Sequence, residues 1–152
     1  MSKENKVNGG VSIAETMQER VYVGTKTIKA FPMSRSAYCK YRGWDLPADE
    51  DGNEMVYLVE YEVDPSSKPN HPDHEGYISM SPKHVFDKAY RKAGNYMDRL
   101  IIEKHDLLEK TKKLREALQN KKVPQDQEDI LTAQLGAMIT YGALLDMRIN
   151  TK

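Results

Sequence analysis

Hydrophobic positions along this chain repeat with a period of two in the middle and with a helical period towards the C-terminus. The clearest strand signal is "MVYLVEYEV", residues 55 to 63, where β-branched and aromatic residues end in apolar-polar alternation. That content predicts a central strand. Upstream, "VYVGTKTIKAF" holds two short β-prone runs around Gly24, with Pro32 marking the exit of the second, so a hairpin or an extended edge is expected. Between them "MSRSAYCKYRGW" predicts a short helix capped by Ser34, running through Tyr41 and stopped at Gly43. "LPADEDGNE" is then a loop. "DPSSKPNHPDHEG", with three prolines, is a second loop, and "YISM" a further strand. "SPKHVFDKAYR" predicts a helix with Ser81 at its cap, Pro82 at its first position, and Val85, Phe86, Ala89 and Tyr90 on one face.

After Ala93-Gly94-Asn95 the period is helical. Asn95 caps a long helix from Tyr96 to about Leu118 that carries Met97, Leu100, Ile101, Leu107, Leu108, Leu114 and Leu118. The seven-residue spacing of 100, 107 and 114, paralleled by 101 and 108, indicates a bundle or coiled-coil seam. "QNKKVPQD" turns the chain: Pro124 prevents continuation, and Asp126 is expected to cap a return helix through about Ile149. So short a connection makes the two helices antiparallel neighbours.

The return helix has more apolar surface than one neighbour requires. Leu131, Leu135, Met138, Gly142, Leu145 and Ile149 suffice to pack on the outgoing helix. A second row remains in Ala133 or Ala137, Ile139, Tyr141 and Leu144. It either packs under the N-terminal module or joins copies of the hairpin; a two-helix hairpin is a poor independent core, which favours a homo-oligomer.

The expected fold class is therefore α+β: a tail over 1–20, a small α+β module over 21–92 and a helical hairpin over 95–150. Composition narrows the function. Lys plus Arg and Asp plus Glu each total 23, so no long nucleic acid is expected as a partner, although residues 83 to 122 hold twelve cations against six acids. One cysteine, Cys39, excludes an intrachain disulfide and fits a reducing cytoplasm. No apolar run is read as spanning length, so no membrane is expected.

No phosphate loop, nucleophile elbow or HExxH stands in the chain, so no catalytic residue, metal or cofactor is assigned. His71, Asp73 and His74 sit in a proline-rich loop without a rigid element to hold ligand geometry, and read as solvated. Cys39 and His84 have no spacing that supports a nucleophile and base. Arg35, Tyr38, Tyr41, Arg42 and Trp44 mix cations with aromatics, as either the module's core or a stacking surface. Lys112, Lys113, Arg115, Lys121 and Lys122 complement a helix C-terminus, and could equally meet phosphates across a subunit interface.

The string from "YVGTKTIKAFPMSRSAYCKYRGW" to "PNHPDHEGYISMSPKHVFDKAYR" resembles a module of small accessory proteins of tailed bacteriophages, over residues 22 to 91. The segment "LLEKTKKLREALQNKKVPQDQEDILTAQLGAMITYGALLDMRI" is similar to the helical hairpin of phage anti-CBASS and anti-Thoeris sponge proteins. That resemblance implies a non-enzymatic protein, active in the cytoplasm of an infected bacterium, that sequesters a cyclic oligonucleotide or cyclic ADP-ribose type signal. Arg99, Lys104, Lys113 and Arg115 would then contact phosphates, and Tyr141 or Tyr96 would stack on a base. Arg35, Tyr41, Arg42 and Trp44 would form a second candidate site. The alternative is an adaptor or inhibitor that uses the hairpin against a host or phage protein.

Overall fold

In the computed structural model, residues 19–151 are described. The expected tail lies outside them apart from Glu19 and Arg20. The chain is α+β and divides after Pro82 into two units.

The first unit is a three-stranded antiparallel sheet, β1 (Ile28–Ser34), β2 (Met55–Tyr61) and β3 (Ile78–Pro82), in the order β1-β2-β3. Its helix α1 (Arg35–Arg42) follows β1 directly. The cap is the one expected: Ser34 Oγ accepts from the Ala37 N–H, and Gly43 ends the helix at φ 72°, where a side chain would be strained. Because side chains alternate across a strand, Val56 and Leu58 of β2 share a face with Ile78 and Met80 of β3 and Met33 of β1. With Tyr38 from α1 they make the core.

Two expectations about this unit are corrected. Val21–Val23 form no strand; only Ile28–Ser34 pairs, and Pro32 lies inside it. A proline is tolerated there because, among the described residues, β1 is an edge strand with no second neighbour to receive an N–H. Ser81 and Pro82 do not start a helix either: they close the β2–β3 ladder opposite Tyr57 and Val56. Helix α2 (Lys83–Ala89) begins one residue later, and none of its residues is buried.

The second unit contains α2 and the antiparallel pair α3 (Tyr96–Gln119) and α4 (Glu128–Asn150). Asn95 Oδ1 accepts from the Asp98 N–H at the start of α3, as read from the sequence. In the turn, Lys121 takes φ 50°, and the Lys122 N–H reaches back to the Ala117 carbonyl, a Schellman closure built on a non-glycine residue. Asp126 does not cap α4. It lies in a 3-10 turn, Gln125–Gln127, and α4 starts without a side-chain cap.

The inner face of α4 is the expected stripe, with Gly142 and Leu145 fully buried and Leu131, Leu135, Met138 and Ile149 partly so. On α3 the seam runs 100, 104, 107, 111, 114, 118, steps of four and three that keep one face turned to a partner helix. Thr111 occupies a seam position because its hydroxyl donates to the Leu107 carbonyl. Ile101 and Leu108, read as a parallel row of that seam, are instead exposed. One more expectation changes. Gln125–Asn150 contains an 18-residue window of mean hydropathy 1.3, long and apolar enough to cross a membrane by length and composition alone.

Candidate functional site

In the first unit the cationic and aromatic residues of α1 separate by partner. Arg35 turns back onto the acidic loop: Nε and Nη2 donate to Glu54 Oε2 at 2.8 and 2.5 Å, and Nη1 to Glu50 Oε2 at 2.7 Å. Those carboxylates raise the guanidinium's pKa, the Glu54 hydrogen bond most. Arg42 lies over the Trp44 ring at 4.3 Å and donates to Tyr38 Oη at 3.1 Å, while Tyr38 itself is core.

Tyr41 joins a network that the sequence did not reveal. Its ring stacks on His71 at 4.3 Å and 17°, and its hydroxyl meets His74 Nε2 at 2.9 Å. His74 Nδ1 lies 2.8 Å from Glu60 Oε2, and the Gly76 N–H donates to the other carboxylate oxygen at 3.2 Å. One neutral tautomer satisfies every contact: Nδ1–H donates to Glu60 and Nε2 accepts from Tyr41. The His71–His74 loop is therefore not the solvated excursion expected, since both histidine side chains are at most 12% exposed.

The electrostatics follow. Glu60 is held below the ordinary carboxylate range, chiefly by the hydrogen bond from His74. The Tyr41 hydroxyl is pushed above its ordinary value by burial first, then by the charges of Asp73 and Glu60. A raised pKa keeps the phenol protonated, a hydrogen-bond donor to His74 rather than a phenolate, and the Tyr41–His74–Glu60 contacts tie the loop to α1 and β2. Among the described residues no group of three or more His, Cys, Asp or Glu side chains could hold a metal.

Because the folded pKa of Glu60 is depressed, its contribution to stability is complete above the unfolded carboxylate value of 4.5 and is lost as pH falls through the folded one. Glu60→Gln should therefore cost about 1–3 kcal/mol at neutral pH, the worth of a charge-assisted hydrogen bond. That gap from the unaltered chain should close below about pH 4.5 in urea titrations across pH.

In the second unit the candidate residues lie along the hairpin's flanks. Lys104 forms an ion pair with Asp146, which marks one flank. Helical periodicity places Arg115 on that flank of α3, and Arg99 and Lys113 on the opposite one. On α4, Tyr141, Leu144 and Arg148 share the flank of Arg99. There Arg148 donates to the Tyr96 hydroxyl and lies 5.5 Å from that ring's centre. Arg99 and Lys113 are fourteen residues apart, about 21 Å along the axis, so they do not converge within one chain. Nor do Lys104 and Arg115.

Beyond the stripe α4 is open: Ile130, Tyr141 and Leu144 on the flank of Arg99, Met147 at the back and Ile139 on the other flank are all exposed, Leu144 by 52%. The fold and this flank define a helical-hairpin protein with a small α+β module, whose cations and aromatics sit along open helix faces. Residues 94–151 match the family model described as Sequestin. The match runs from the glycine before the Asn95 cap to the residue that ends α4, so this part of the chain is similar to that family as a complete hairpin. The family's name points to the sequestering of a molecule. No curated protein and no solved structure matches the chain.

Proposed function

We propose that this is a phage immune-evasion protein that binds a nucleotide-derived defence signal, of cyclic oligonucleotide or cyclic ADP-ribose type, and holds it without cleaving it. It acts in the cytoplasm of the infected bacterium. The observation that carries this reading is the Sequestin match over the hairpin, residues 94–151. Sequestration asks for affinity and abundance and for no reactive group.

The ligand lies between hairpins of different copies. The open row of Tyr141 and Leu144 supports self-association, since covering the exposed half of each such side chain is worth about 1 kcal/mol. An antiparallel pairing of two hairpins brings Arg99 of one copy towards Lys113 of the other, closing the 21 Å gap that one copy leaves (about 14 residues at 1.5 Å each). Phosphates then meet a cation from each side, and Tyr141 or the Tyr96–Arg148 pair offers a face for a base. Lys104 and Arg115 serve the opposite flank, Lys104 after release from Asp146. Arg35 is engaged by two carboxylates, so among the module's candidates Arg42 and Trp44 are the better placed.

Native mass spectrometry and calorimetry with a panel of cyclic di- and trinucleotides and cyclic ADP-ribose isomers test the reading. One compound should bind an oligomer and be recovered unchanged after denaturation. Arg99→Ala with Lys113→Ala should weaken it by about ten- to a hundredfold per lost phosphate contact. Absence of binding across the panel, or recovery of a cleaved product, would refute the proposal. If a host or phage protein is retained instead, the exposed row belongs to the adaptor reading; tight association with lipid vesicles would assign α4 to a membrane.

A further inference from the structure

We infer that residues 20–31 are a strand-pairing arm through which two copies of this chain join their sheets edge to edge, independently of the hairpin. Val21, Tyr22 and Val23 are 90%, 80% and 89% exposed, consecutive β-formers with no secondary structure of their own. Their backbone groups make no hydrogen bond to any other described residue. Immediately downstream, β1 is the edge of the sheet, paired to β2 on one side and to no described strand on the other. An exposed β-prone segment beside a sheet edge with no described neighbour is an arrangement that folded proteins avoid unless something pairs with it.

A second copy is the occupant these features select. The donor segment and the acceptor edge are contiguous in one chain, so two copies laid antiparallel about a two-fold axis satisfy both ladders at once, each residue of the arm serving both roles. Pairing within one chain would need the turn at Gly24–Thr27, and the chain runs on into β1 without it. Pro32 has no N–H to offer, which ends the new ladder at Phe31. Phe31 is itself 45% exposed, so an apolar side chain already waits at that end.

Light scattering and hydrogen exchange on the full chain decide the matter, comparing the unaltered protein with Val21→Pro/Val23→Pro, Val21→Asp/Val23→Asp and Leu144→Asp. Val21 and Val23 are almost fully exposed, so neither double change should unfold the sheet, and Trp44 fluorescence reports that directly. Amides of residues 20–31 should exchange at least about tenfold more slowly as protein concentration rises. The proline pair should abolish that protection and halve the subunit number, and the aspartate pair should weaken both. Leu144→Asp should leave the protection in place, because it touches only the hairpin. Concentration-independent exchange in the unaltered chain would overturn the inference. So would an unchanged mass in the proline pair, or loss of the protection in Leu144→Asp.

Discussion

Replacing Gly76 by alanine is expected to cost the first unit about 3 kcal/mol or more. A Cβ built there would stand 2.0 Å from the Tyr61 carbonyl oxygen and 3.2 Å from both the Tyr61 carbonyl carbon and Glu60 Cγ. The obstacle is the backbone of the central strand, which cannot rotate aside as a side chain can. Relief requires parting the ends of β2 and β3, and two hydrogen bonds go with it: the Tyr61 N–H to the Tyr77 carbonyl at 2.9 Å and the Gly76 N–H to Glu60. Glu60 would then lose part of its hold on His74 and, through it, on Tyr41. Urea unfolding followed by Trp44 fluorescence should show the midpoint falling sharply. Gly136→Ala is the matched control. No atom lies within 4 Å of its Cβ position, and in an exposed helix interior the change should raise hairpin stability by about 1 kcal/mol.

Leu145→Ala and Leu144→Asp, neighbours on α4, are expected to fail in different ways. Leu145 is fully buried against α3, and Leu100 is the other fully buried leucine of the hairpin. Truncating it should cost about 3–4 kcal/mol through lost burial and the cavity left behind. So thin a seam has no second layer to absorb that, and helical circular dichroism at 222 nm should melt at a much lower temperature. Leu144 is half exposed, and aspartate there should leave helix content almost unchanged. Its effect should appear in the mass, as loss of the hairpin-mediated assembly and of ligand held between copies. Equal loss of helicity in both variants would mean that Leu144 supports the hairpin internally.

Local features were legible. The Ser34 and Asn95 caps, the Gly43 stop, the central place of β2 and the inner stripe of α4 depend on residues within a turn or on a simple period. Ser81–Pro82 misled because a good helix start competes with a ladder to Tyr57 and Val56, which lie 24 and 26 residues upstream. Val21–Val23 misled in the opposite direction: β-propensity requires a neighbour, and none of the described residues pairs with them. The site was less legible than the fold. The cationic flanks could be read from composition, but nothing in "NHPDHE" announces that His74 will be held by Glu60, 14 residues back, and by Tyr41, 33 residues back.

The sequence by itself determined what neighbours along the chain decide: where helices begin and end, which faces are apolar, and that the return helix has apolar surface to spare. Only the tertiary structure decided which apolar rows are covered, which cations are already paired and which histidines are ordered. The physical reason is range. Caps and helical periodicity act over a few residues, whereas burial and ion pairing depend on groups that only the fold brings together, as it brings Arg35 to Glu54 and Lys104 to Asp146.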